Sequence, residues 1–222
     1  MSKFITFIKV INFKTIRFNL KYFPFKTALK LPVMISGNVL LLKMDGKISI
    51  DAPISTGMIK IGFGDVGIFD KKRSKSIWQV SGGTVIFKGN AIIGHGCKIS
   101  IGEKGVLEFG KNISVTAETE IIAYDTIVFG NDCLISWDCL IMDTDMHEIF
   151  DKSGNQINQS KPIIIGNKVW IGCRSVILKG TKISDNSVIG TNSLISKDIS
   201  DKSGVFAGNP VRFLRSDIDW KQ

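Results

Sequence analysis

Acidic residues are missing from the start of this chain: none precedes Asp45. Lys3, Lys9, Lys14, Arg17, Lys21, Lys26 and Lys30 set seven positive charges within the first 30 residues. Setting those seven aside lowers the net charge of +9 to +2 (9 − 7), so the basic excess belongs to an N-terminal arm. Long apolar runs are also absent, and none nears the roughly 18 residues that a membrane-spanning helix needs. Lys9 and Lys14 interrupt the first apolar stretch and no small-residue cleavage site follows, which argues against a signal peptide. No C-x-x-C pair occurs among Cys97, Cys133, Cys139 and Cys173. That speaks against zinc and for reduced, structural thiols in a cytosolic protein. Histidine occurs only twice, at His95 and His147.

What the chain does have is a period of six. Isoleucine recurs at Ile165, Ile171, Ile177, Ile183, Ile189 and Ile195, and the same phase holds at Phe129, Ile135 and Ile141. Neither an α-helix (3.6) nor an ordinary strand (2.0) repeats at six. Short repeats of this kind build a parallel β-helix, in which three hexads make one triangular turn. Four residues after an in-phase apolar side chain comes a small one, as at Ala91, Cys97, Thr119, Cys133, Cys139, Ser175, Thr181, Ser187 and Ser193. Three of the four cysteines thus occupy a slot meant for something small. Gly or Asn at the corners tolerates a positive φ.

Three segments follow: a basic, aromatic arm over 1–45, a hexapeptide β-helix over 46–205, and a C-terminal cap over 206–222 formed as a tail or short helix. Plotted at 100° per residue, Lys3, Lys14, Arg17 and Lys21 share one face of the arm, with Phe4, Ile8, Ile11 and Tyr22 on another. Such a helix suits an anionic membrane surface, and equally suits packing on the prism or on a neighbouring subunit. The arm carries no nucleic-acid recognition motif. Pro24 in "YFPF" ends the helix.

Over Asp70–Ser76 "DKKRSKS" departs from the template as a polar loop, and the hexad phase itself breaks once further on. Between Ile141 and Ile165 the in-phase positions hold His147, Ser153 and Gln159, none suited to an apolar interior. The polar stretch over about 143–161 therefore leaves the prism as an extruded loop, where function tends to sit. His147 stands near its start. His95, in "IGHGCK", falls at an outward repeat position and reads as a surface residue.

From Phe129 to Arg215 the sequence, with "IGNKVWIGCRSVILKGTKISDNSVIGTNSLISKDIS" and "VFAGNPVRFLR", resembles the hexapeptide-repeat acyltransferases, close to the galactoside, maltose and polysaccharide O-acetyltransferase branch. The resemblance implies a left-handed β-helix, a homotrimer, and acetyl-coenzyme A bound in a cleft between two subunits. It implies a sugar or glycan acceptor, and the style of the arm points to capsule or lipopolysaccharide synthesis. It also implies a cytoplasmic location, extending to the inner membrane face if the arm binds there.

Acetyl transfer to a hydroxyl needs a base, and a histidine that is largely neutral near pH 7 serves. His147 matches the family's catalytic histidine, although "MHEI" lacks the proline that often follows it. Asp143, Asp145 and Glu148 are the candidates to orient its ring. Asp125, Trp137 and Asp138 are acceptor-binding candidates. Trp170 matches a family tryptophan near the pantetheine arm and also reads as plain rim packing. Lys197, Arg212 and Arg215 match basic positions suited to the cofactor's phosphates. No metal is implied, because the zinc-dependent enzymes on this prism need three histidines and this chain has two. N-acetylation of an amino-sugar nucleotide or an amino acid, and a non-catalytic β-helical module, remain as alternatives.

Overall fold

A computed structural model of the chain describes residues 11–64 and 66–221. Strands are short and parallel, and each pairs with the third strand before and after it, so the chain winds as a triangular β-helix. Face 1 runs from Val33–Ile35 to Val205–Ala207, face 2 from Val39–Met44 to Leu194–Ile195, and face 3 from Lys47–Ile50 to Asp198–Ile199. The first rung thus begins at Val33, ahead of the expected start at 46.

Register shows where the hexads are regular. On face 3, Ile165 pairs with Ile183, 18 residues on (183 − 165), the length of three hexads. Phe109 and Phe129 are 20 apart, and Phe87 and Phe109 are 22 apart. The inward residues stay in column because the extra residues are taken up at the corners. Two larger insertions leave the prism. Ile50 pairs with Phe87, 37 residues on, and Phe129 with Ile165, 36 on. The second interval is two regular turns' worth of chain spent on one turn.

Inward side chains form a continuous apolar column that includes Ile121, Ile135, Ile141, Ile171, Ile177 and Ile189, all fully buried. Phe87, Phe109 and Phe129 stack with ring centroids 5.3 and 5.4 Å apart. The nine small corner residues are buried as the repeat requires. Burial lifts the Cys97 thiol to about 12 and the Cys133 and Cys139 thiols to about 11, so all three stay protonated and unreactive.

Corners turn through the left-handed region. Asn112, Asp132, Lys168 and Asn186, with φ between 52° and 57°, repeat where face 3 meets face 1. Beside them Asn131, Asn167 and Asp185 form a ladder, each accepting a backbone N–H from the turn before: Lys111 N to Asn131, Asn131 N to Asn167, and Asn167 N to Asp185. Gly130 precedes this ladder because turns approach closely there. A Cβ on it would lie 2.5 Å from the Gly166 carbonyl carbon.

The ends differ from the middle. Helix α1 (Phe13–Tyr22) covers the first rung, ends before Pro24 as expected, and is followed by the single-turn α2 (Phe25–Ala28). Lys3, Phe4, Ile8 and Lys9 lie outside the described residues. At the other end the cap is no helix. Arg212–Arg215 turns back antiparallel on Val205–Ala207, and the tail then lies along the prism, where Trp220 donates its indole N–H to the Lys168 carbonyl (2.9 Å).

Candidate functional site

The second insertion leaves the corner between faces 2 and 3, after the strand Leu140–Met142, and returns at Ile163–Ile165. Its base is closed by the Lys161 N–H donating to the Asp143 carbonyl (3.1 Å). The Asp143 side chain is fully buried and accepts the backbone N–H groups of Tyr124 (2.7 Å) and Asp125 (2.9 Å). Burial raises its carboxyl above the usual carboxylate range, while those two donors pull it back down.

Further out the loop folds into a hairpin. Phe150 bridges Gln156, and the Ile157 N–H donates to the Ile149 carbonyl (2.8 Å). The Asp151 carboxylate closes the tip by accepting from the N–H groups of Ser153 and Asn155. Asn158 holds His147 from the opposite strand. Its amide donates to the His147 carbonyl (2.8 Å) and to Asp145 (2.9 Å), and its side-chain oxygen accepts from the Ile149 N–H (2.7 Å). Lys179, one turn further along the prism at the same corner, binds Asp145 and donates to the Asn158 carbonyl (2.8 Å). Lys179 and Asn158 hold the Asp145 carboxyl below its usual range. The backbone on both sides of Glu148 is therefore fixed, and Met146 enters it with φ 64°. The His147 side chain is exposed, and among the described residues nothing hydrogen-bonds its ring.

The three carboxylates proposed to orient that ring have separate fates. Asp143 is spent on the loop base and Asp145 on Lys179. Glu148 is the one of the three with no partner among the described residues. Asp125 lies at the loop base, its N–H bound by Asp143. Trp137 and Asp138 stand on a different corner, between faces 1 and 2, where Asp138 pairs with Arg174 (3.3 Å). Trp170 lies on face 1, 38% exposed, with its indole N–H on Ser136 (3.0 Å) and its ring 6.1 Å from that of Trp220. Lys197 and Arg212 meet in a groove of about 520 Å³ at the C-terminal end, whose lining also includes Lys202 and Phe213. Arg215 follows on the same exposed strand as Arg212.

Sequence reasoning missed Asn158 and Lys179. Neither stands at a position the hexads mark, and their contacts span 11 and 34 residues. It also misplaced His95. That side chain is only 4% exposed, because the first insertion (66–75) folds over this corner and sets Phe69 edge-on against the ring at 6.1 Å. A repeat position marks outward direction, and an insertion can still cover it.

Residues 162–197 match the family described as bacterial transferase hexapeptide (six repeats). A polysialic acid O-acetyltransferase of Escherichia coli O1:K1 is 34% identical over 60% of this chain and 41% of its own length. A galactoside O-acetyltransferase of Escherichia coli K12 is 37% identical over 49% of this chain and 53% of its own. The chain thus spans about half or less of the length of these curated relatives. The crystal structure of a polysialic acid O-acetyltransferase, 24% identical, superposes with a TM-score of 0.53 over 83% of this chain and 88% of its own, which shows a shared fold. Residues 162–197 thus match transferase hexapeptide repeats within a left-handed parallel β-helix, and the chain is similar in sequence to polysialic acid and galactoside O-acetyltransferases.

Proposed function

We propose that this chain is an acetyl-CoA-dependent O-acetyltransferase that acetylates a sugar hydroxyl of a surface polysaccharide. The observation that carries the reading is the loop: a rigid prism expels one hairpin, and that hairpin presents an exposed His147 on a backbone fixed by Asn158. Relatives named as O-acetyltransferases of glycans support the same chemistry. Neutral His147 takes the proton of the attacking hydroxyl as the sugar oxygen bonds to the thioester carbonyl carbon. The tetrahedral intermediate then collapses, the carbon–sulfur bond breaks, and the imidazolium returns the proton to the departing sulfur of coenzyme A. Glu148 is free to orient the ring. Lys197, Arg212 and Arg215 supply positive charge for the donor's phosphates.

A single prism does not complete this site. In a triangle the corner between faces 2 and 3 lies opposite face 1, so the His147 loop and Trp170 are on opposite sides of one chain. A ring of three copies joins them if face 2 of one packs on face 1 of the next and the loop reaches across. The outward side of face 2 fits such a contact, with Ile122, Leu140, Met142, Val176, Leu178 and Leu194 in register. So do the exposed Met146, Ile149, Phe150 and Ile157 of the loop.

The test is His147→Ala. Turnover of acetyl-CoA with a glycan acceptor should fall by about 10²–10⁴, while coenzyme A still binds. Undiminished turnover removes His147 as the base and the reading with it.

A further inference from the structure

We infer that the N-terminal end of the prism is a docking surface for an anionic lipid bilayer, and that it holds the body in one orientation. The helix there is clamped and does not lie loosely on the fold. Thr15 Oγ1 accepts the Ile35 N–H (2.9 Å) and donates to the Ile35 carbonyl (3.1 Å). Asn19 donates to the Val33 carbonyl (2.7 Å) and accepts its N–H (3.2 Å). Lys14 donates to the carbonyls of Gly37 and Val39. These side chains satisfy the open edge of the first rung, which otherwise templates strand pairing. Phe18 is fully buried, edge-on to Trp78 at 5.4 Å, and stops the helix from rolling.

The opposite side of α1 is left apolar. Phe13 is 76% exposed, Leu20 51% and Ile16 42%, while Phe25, Leu29 and Leu42 beside them are exposed by 53–68%. Between α1 and the strand Val39–Met44 runs a groove of about 680 Å³, in which Arg17, Lys21 and Lys43 flank Phe13, Ile16, Leu20 and Leu42, and Asp45, 3.8 Å from Lys43, is the one acid. Residues 11–44 hold six cations, Lys14, Arg17, Lys21, Lys26, Lys30 and Lys43, and no acid.

An occupant must bury apolar side chains and supply negative charge together. A second copy of this face brings like charge to like charge, which disfavours a symmetric contact. A nucleic acid satisfies the cations and leaves Phe13, Leu20, Phe25 and Leu29 without partners. An anionic bilayer offers both, with headgroup phosphates for the cations and the acyl boundary for the rings and leucines. Because α1 is fixed to the first rung, docking sets the prism with this end toward the membrane. A trimer with parallel prisms would present three such ends on one side, and multivalency would strengthen the attachment.

The experiment is co-sedimentation of the full chain with phosphatidylcholine vesicles, with and without phosphatidylglycerol, at about 0.1 M and about 1 M salt. The chain should bind the anionic vesicles alone, and lose binding at high salt. Arg17→Glu with Lys21→Glu, and separately Phe13→Ser with Leu20→Ser, should each weaken binding at least about tenfold. All four positions are exposed, so melting should stay unchanged and folding failure is excluded as a cause. Equal binding to neutral vesicles, or full binding by both variants, would overturn the proposal. So would an oligomer that dissociates only in Phe13→Ser with Leu20→Ser, or binding to single-stranded DNA with none to vesicles. None of these outcomes depends on acetyl transfer.

Discussion

At the scale of single residues, Asn158 is the side chain on which the position of His147 most depends. It reaches both strands of the loop, donating to the His147 carbonyl and accepting from the Ile149 N–H. Replacing it by alanine frees the histidine backbone and strips Asp145 of one of its two partners. A displacement of about 1 Å at a reacting group can cost on the order of 10²-fold in rate. Asn158→Ala should lower kcat by about 10–100-fold and leave KM for acetyl-CoA within about twofold, with melting unchanged because the loop lies off the core. Steady-state kinetics checks it: a change confined to KM would assign Asn158 to binding. The residue was invisible in the sequence for a physical reason. His147 stood out because a polar imidazole does not suit an apolar column, and the hexads predict that column position by position. Asn158 breaks no such rule, being one polar residue in a polar loop, and only the folded hairpin shows what it holds. His95 was misread from the opposite direction, since the repeat assigns its outward side but not the insertion lying over it.

At the scale of elements, stability is carried by columns. Phe87, Phe109 and Phe129 form the stacked aromatic part of the face 3 column, and the middle ring lies nearly face to face with both neighbours, with interplanar angles of 17° and 11°. Phe109 is fully buried, so its removal leaves a cavity between two turns that backbone hydrogen bonds keep apart. Phe109→Ala should cost about 3–5 kcal/mol in denaturant unfolding. Asn167→Ala, which removes exposed rungs of the corner ladder, should cost only about 1 kcal/mol. Equal losses would place the main support at the corners. The columns were legible from the six-residue period alone, as were the small corner slots, because both follow from the steric demands of one repeated turn. Turn lengths of 20 and 22 in the first half were not legible, because the extra residues sit at corners, where sequence constraint is weakest. The earlier start at Val33 was hidden similarly, since the six-residue step from Val33 to Val39 next falls on Asp45 and the phase is lost.

At the scale of the whole molecule, the position of Trp170 opposite the His147 loop separates two designs for the site. If one chain held the complete site, a defect in either residue would inactivate that chain regardless of its neighbours. If the site is shared, a ring containing both defective chains has an interface where an intact loop from one meets an intact face 1 from the other. His147→Ala and Trp170→Ala proteins should each be weakly active alone, and should regain activity when unfolded together and refolded as mixed rings. The double variant, mixed with itself, should regain none. One intact site in three is available in any ring with both kinds of chain, so recovery should approach about a third of the wild-type rate at best. Mixing without recovery, although the mixed rings are seen by mass, would place the histidine and the tryptophan in one chain's complete site, and full activity of Trp170→Ala alone would leave Trp170 as rim packing against Trp220.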